Sequence, residues 1–241
     1  MKKRFYIVAG SICAVLCLIL LLAYVQSGRR GGTEEQAAAA IQQAAGEQLP
    51  PNFTALQEVN RDIYAWLDIP GSHISTPVLQ CQEDQDFYLN HGLDRNNSPD
   101  GALFTEPAYN GMEFDDLVTV IYGHRAESGA MFGGLQDLYS DSAQFSSCDQ
   151  ITIYLPDRTL CFQVFAAVPF DDRHLLYQYD FSDPKVYSAF FNEIKSIREL
   201  GAHLNVEAFP EYPDQVLILS TCLEGDETSR YLVISKLLEE P

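Results

Sequence analysis

Basic residues are scarce in this chain. Its 241 residues carry 15 Lys and Arg against 34 Asp and Glu, a formal charge of −19. Nucleic-acid phosphates demand clustered cations, so that balance argues against a nucleic-acid partner. The same deficit disfavours electrostatic docking on an anionic surface, and an acidic, solvated exterior that keeps an extracellular domain soluble is the reading that remains. No Cys-x-x-Cys pair occurs among the six cysteines, which speaks against a zinc knuckle or a thioredoxin-type redox motif. No Asp-x-Asp-x-Asp-Gly loop is present to bind calcium. The five histidines are scattered singly, without ligand-pair spacing. Neither a metal nor another cofactor is therefore expected.

What the chain does have begins with Lys2-Lys3-Arg4 and an apolar run over residues 6–25. At about 1.5 Å per residue, some 20 residues cross a hydrocarbon core roughly 30 Å thick. The run is longer than the apolar region of a secretory signal and shows no clear small-residue cleavage site. Residues 1–26 are thus expected to be a transmembrane signal-anchor with a cytoplasmic N-terminus, making the chain a single-pass protein of the cell membrane with its bulk outside. Residues 27–52, rich in Ala, Gln and Glu but poor in large apolar side chains, read as an extracellular spacer. Residues 53–241 are left as the folded domain.

Within that domain, apolar positions at Leu56, Val59, Ile63 and Trp66 have helical spacing and suggest an amphipathic N-terminal helix over 53–66. Further helices are expected over 131–139 and 184–200, the latter opened by Ser182-Asp183-Pro184 and carrying Val186, Phe190, Ile194 and Ile197 on one face. Elsewhere, short β-rich runs alternate with Pro and Gly punctuation: 74–79, 102–104, 117–122, 151–155, 160–168, 216–219 and 231–237. About eight such strands with helices (α+β, mainly β) favour a closed or nearly closed barrel. Cys81 and Cys161 read as small buried apolar residues, Cys148 as more exposed, and His73, His91, His174 and His203 as surface groups.

The most informative stretch is Val216-Leu217-Ile218-Leu219-Ser220-Thr221-Cys222. A buried strand that turns polar at its end would bring Cys222 to the rim of the core. The turn-like 224–229 then leads to Arg230 and a second apolar strand, so a thiol and a permanently charged guanidinium face each other across a hairpin mouth. A strand-borne Cys lacks a helix N-terminus to depress its pKa and needs a basic partner. His124 ends a similar apolar run broken at Gly123.

These residues resemble the sortases. Leu219-Ser220-Thr221-Cys222 with Arg230 is similar to the sortase nucleophile motif and its arginine, and Tyr122-Gly123-His124 to the histidine motif. Trp66-Leu67-Asp68-Ile69-Pro70-Gly71, Pro77-Val78-Leu79-Gln80, Gly101-Ala102-Leu103-Phe104 and Met131-Phe132-Gly133 are in keeping with class B. The resemblance runs over residues 53–237; Ile218 departs from it, where many relatives carry Thr, at a position that should point into the strand's packing. It implies a closed eight-stranded barrel with a long helix before the nucleophile strand. It also implies a membrane-anchored cysteine transpeptidase that cleaves a C-terminal sorting motif of secreted proteins, often of Asn-Pro-x-Thr type. Cys222 would form a thioester, His124 would act as acid and base, and Arg230 would steady the oxyanion; the acyl group would pass to the amine of a lipid-linked peptidoglycan precursor. Ser220, Leu176, Tyr177 and Asn90 are the implied substrate contacts, with Leu175 beside them. The alternatives are a pilin-polymerising sortase using a lysine amine, plain hydrolysis by a cysteine protease, and a non-catalytic surface-tethered binding domain. The absence of a long flexible segment in front of the barrel favours anchoring over polymerisation.

Overall fold

The computed structural model describes residues 36–46, 49–126, 129 and 131–238. Among the described residues there are nine strands: β1 (Ile63–Asp68), β2 (Ser75–Leu79), β3 (Leu103–Phe104), β4 (Val118–Tyr122), β5 (Gln150–Tyr154), β6 (Thr159–Asp171), β7 (His203–Leu204), β8 (Val216–Leu223) and β9 (Asp226–Leu237). They pair in the order β5-β1-β2-β3-β4-β8-β9-β6-β7, and an additional β5–β6 pairing closes the first eight into a ring. This is the eight-stranded barrel expected from the strand pattern; closure removes the sheet edges that would otherwise invite association. Among the described residues only β7 hangs outside, on β6. The α-helices of the described residues are α1 (36–45), α2 (Phe53–Val59), α3 (Leu135–Ser140), α4 (Ser142–Ser147), α5 (Leu175–Gln178) and α6 (Pro184–Ser196).

The barrel wall explains why β4 and the first half of β8 are largely apolar rather than alternating. Successive side chains leave a strand on opposite faces. Ile121, Leu217, Leu219, Tyr231 and Val233 fill the interior. Val118, Val120, Val216, Ile218, Leu232 and Ile234 point outward and are covered in turn. The cover is helix α6 (Pro184–Ser196), which brings Tyr187, Phe190, Phe191 and Ile194 onto the wall. Asp183 starts it by accepting the Lys185 N–H at 2.8 Å, and Pro184 occupies the first turn, where no backbone donor is missed. Each fully buried Phe contributes about 1.5–3 kcal/mol. The helix ends at Ser196 rather than at 200, because Ile197 adopts extended geometry with ψ 133°.

Other expectations need correction. The N-terminal helix is only Phe53–Val59, followed by strand β1 in which Trp66 is buried. Asn60 ends the helix: its side chain donates to Tyr88 and to Leu93 O, and its Oδ1 accepts the Asp62 N–H. Val59, placed on the buried face from spacing alone, is 41% exposed. The helix expected over 131–139 is instead two short helices, Leu135–Ser140 and Ser142–Ser147, broken at Asp141, whose carboxylate caps the second. A helix over 36–45 lies in the stretch read as a spacer, and its Ile41 and Ala45 are buried against the cluster that holds Phe53, Leu56 and Trp66. Cys81 is buried, whereas Cys161 is exposed, since the alternation of β6 turns position 161 outward.

The expected placement in the cell membrane is also corrected. No helix among the described residues is long and apolar enough to cross a membrane; α6, with 13 residues, spans about 20 Å at the usual rise. The run 6–25 that carried the expectation lies outside the described residues.

Candidate active site

Strands β4 and β8 run parallel, with Val118 opposite Val216 and Tyr122 opposite Ser220. Gly123 N–H continues the ladder to Ser220 O at 3.2 Å. Two residues further along each segment stand His124 and Cys222, and both line one cleft. Residues paired across strands share a face, so Tyr122, His124, Ser220 and Cys222 continue the outward series that α6 covers lower down. Beyond the reach of α6, that face opens into a cleft. β9 returns antiparallel to β8 and sets Arg230 opposite Cys222, with Nη1 3.9 Å from Sγ.

The turn into His124 is held from both sides. A Cβ on Gly123 would lie 2.3 Å from Leu103 Cδ2 and 2.7 Å from Phe132 Cδ2, so the chain can pass there only without a side chain. Phe132 is fully buried in the barrel, and its N–H donates to His124 O at 3.0 Å. The Met131-Phe132-Gly133 segment thereby pins the histidine's backbone. Arg125 pairs with Glu224 at 2.6 Å and ties this segment to the β8–β9 turn. The His124 ring nitrogen Nε2 lies 2.7 Å from Leu89 O.

His124, Ser220, Cys222 and Arg230 all line one cleft of about 410 Å³. The other sequence-derived contacts do not. Leu176 and Tyr177 line a neighbouring groove with Tyr109 and Phe181, and Tyr177 is 74% exposed. Asn90 closes the 3₁₀ turn Phe87–Leu89 and accepts the Ser98 N–H through its carbonyl. Helix α5 (Leu175–Gln178) turns Leu175, and not Leu176 or Tyr177, toward the cleft.

Residues passed over in the sequence complete the cleft. His174, read as a surface group, caps α5: its Nδ1 accepts the Tyr177 N–H at 3.2 Å, and Nε2 donates to Glu106 Oε1 at 2.9 Å. With both nitrogens engaged, this ring serves as a strut rather than a proton carrier. Glu106 is buried, and its Oε2 and the Tyr122 hydroxyl have no hydrogen-bond partner among the described residues. Burial, reinforced by the Glu106 charge, pushes the Tyr122 pKa far up and keeps that hydroxyl neutral. Arg173 binds Asp171 and Glu193 at the cleft's far lip and holds the Asp171 carboxyl below its ordinary range. Little in the sequence marks Glu106 or His174, because they are 68 residues apart and belong to no local motif.

A thiol, an imidazole and a guanidinium in one cleft are the parts of nucleophilic acyl transfer: an attacking sulfur, a proton carrier and a fixed positive charge for a developing oxyanion. Residues 67–238 match the family model described as a sortase domain. The chain belongs to the sortase family. It is 27% identical over 195 residues to sortase B of Staphylococcus aureus (strain NCTC 8325 / PS 47), covering 80% of this chain and 77% of that one. Against sortase B of Listeria monocytogenes serovar 1/2a (strain ATCC BAA-679 / EGD-e) it is 27% identical over 190 residues, 76% and 72% of the two chains. The fold matches that of a Staphylococcus aureus sortase B-substrate complex with a TM-score of 0.70 at 23% identity, over 90% of this chain and 100% of that one. These relatives are class B sortases, and the family's members are cysteine transpeptidases. In this sortase Ile218 packs fully buried under α6, so its departure from the motif falls on packing and not on the cleft.

Proposed function

We propose that Cys222 attacks the scissile carbonyl of a C-terminal sorting motif on a secreted protein and that the resulting thioester is resolved by the amine of a peptidoglycan precursor. The observation that carries this reading is the meeting of Cys222, His124 and Arg230 in one cleft on the barrel wall. The Cys222 thiol passes its proton to His124 as the sulfur forms the bond to the carbonyl carbon; Arg230 donates hydrogen bonds to the oxyanion or to the adjoining substrate carbonyl; His124 gives that proton to the leaving amine as the C–N bond breaks. In the second half, His124 takes a proton from the incoming amine as nitrogen displaces the sulfur. The catalytic unit is the stretch 53–241, and Ser220 and Leu175 line the same cleft, where the peptide would lie. A similar protein, the Staphylococcus aureus sortase B, is described as a substrate complex, which supports a peptide occupant here.

The test incubates the full chain with a library of sorting peptides, Asn-Pro-x-Thr types included, and a panel of amines, and reads products by mass spectrometry. An acyl–amine adduct that disappears in Cys222→Ala is the expected result. A cleaved peptide that never carries the amine would replace transpeptidation by hydrolysis, and preference for a lysine side chain over precursor amines would turn the reading to polymerisation.

A further inference from the structure

His124 has no carboxylate within hydrogen-bond distance of its ring among the described residues; the contact it makes is Nε2 to the main-chain oxygen of Leu89 at 2.7 Å. A carbonyl oxygen only accepts, so Nε2 must carry the proton. That oxygen is held in place with unusual thoroughness. Three successive carbonyls leave the 3₁₀ turn Phe87–Leu89 and its cap: Tyr88 O accepts the Ala102 N–H at 2.9 Å, Asn90 O accepts the Ser98 N–H at 2.9 Å, and the middle one meets the imidazole. Behind them Tyr88, 1% exposed, donates to Asp62 at 2.8 Å. Asn60 donates to the Tyr88 hydroxyl at 2.9 Å, and Arg95 pairs with Asp62 and lies over the Phe87 ring. From the other side, a Cβ on Gly101, which has φ +60°, would stand 2.5 Å from Tyr88 O and 2.9 Å from Leu89 O. The chain is packed against these carbonyls as closely as a glycine allows.

We infer that the Leu89 carbonyl is the orienting partner of His124, fixing the ring so that Nδ1 is the nitrogen that exchanges protons with the reacting groups. This rests on the transpeptidase reading above. Nε2–H stays on Leu89 O throughout the cycle; the proton on Nδ1 goes to the leaving amine and is replaced from the incoming one. Because a carbonyl dipole holds an imidazolium less strongly than a carboxylate does, the device orients more than it charges. The loop that carries Leu89 is therefore a positioning element, and Asn60, Asp62, Tyr88 and Arg95 are positioning residues that act through it.

The experiment is nitrogen-15 NMR of the full chain labelled at its five histidines, with the His124 signals assigned by their loss in His124→Gln, at a pH high enough for neutral rings. The expected spectrum shows a protonated-type Nε2 and an unprotonated-type Nδ1. Gly101→Ala should abolish that tautomer preference and lower kcat by about 10²-fold with KM little changed, since a misplacement of about 1 Å costs that much. Arg95→Gln, which perturbs the loop from its outer side, should move both readouts in the same direction, with recovery in Arg95→Lys. A wild-type ring protonated on Nδ1 overturns the inference, as does a variant that loses the tautomer preference but keeps its kcat. If wild type transfers no acyl group to any amine, the transpeptidase reading fails and the mechanistic inference with it, while the tautomer still reports whether Leu89 holds the ring.

Discussion

Arg230 stands opposite Cys222 in the β8–β9 register, its Nη1 3.9 Å from the sulfur. The seven residues between them along the chain complete a hairpin, so the spacing of charge and nucleophile is set by backbone pairing and not by loop geometry. Arg230→Ala is expected to lower kcat/KM by about 10²–10³-fold, the usual loss when one oxyanion donor is removed. Arg230→Lys should recover little of it, because an ammonium lacks the planar fork of donors. Steady-state kinetics on a sorting peptide, with thermal melting to exclude unfolding, checks both.

Glu106 and His174 brace the end of the cleft away from the thiol. β3 runs antiparallel to β4 with Phe104 opposite Tyr122, so Glu106 leaves β3 in the direction opposite to His124. Glu106→Ala removes a charge-assisted bond and frees the α5 cap, and the effect belongs in substrate binding: KM rises about tenfold or more while kcat moves little. A fall in kcat at unchanged KM would assign Glu106 to the chemistry instead.

Phe190 is fully buried between α6 and the wall and packs edge-on against Phe170, Tyr179, Phe181 and Phe191. Phe190→Ala should cost about 3–5 kcal/mol of stability, measured by denaturant unfolding. Phe170 and the turn into α5 border the cleft, so activity should fall at temperatures well below the melting midpoint. An unchanged midpoint would mean that α6 is not fastened to the barrel as described.

Alkaline pH should unfold the barrel cooperatively. Burial raises the pKa of Tyr88 to about 12 and pushes Tyr64, Tyr122, Tyr139, Tyr187 and Tyr231 up as well. A tyrosine in the unfolded chain loses its proton near pH 10. From there upward the folded state holds more protons than the unfolded one, so stability is full below pH 10 and falls as pH rises. A spectrophotometric titration should show part of the 13 tyrosines ionising early and the rest only together with the loss of near-ultraviolet circular dichroism. A single smooth titration of all of them with the fold intact would contradict this burial.

Sequence and structure agree where the signal is local and repeated. The runs that became β2 to β6, β8 and β9 announce themselves through β-branched and aromatic residues between Pro and Gly, and the start of α6 through Asp183-Pro184. They part where one short pattern fits two periods. Leu56, Val59, Ile63 and Trp66 are spaced as a helix, yet Ile63 onward is a strand, because β1 gains partners in both β2 and β5 while Asn60 ends the helix through bonds to Tyr88 and Leu93. Local spacing cannot see a partner strand some 90 residues away.

By itself, then, the sequence determined that a buried strand delivers a cysteine to its rim, that an arginine faces it across a hairpin, and that a histidine ends a second strand of the same kind. Each of those statements needs only neighbours along the chain. The tertiary structure alone decided that β4 and β8 lie side by side in the register that unites the three, that Leu175 rather than Leu176 or Tyr177 meets the cleft, and that Glu106, His174 and the Leu89 carbonyl belong to it. The physical reason is that these contacts are made across long loops, and one of them by a peptide oxygen, a group every residue carries and no sequence pattern can mark.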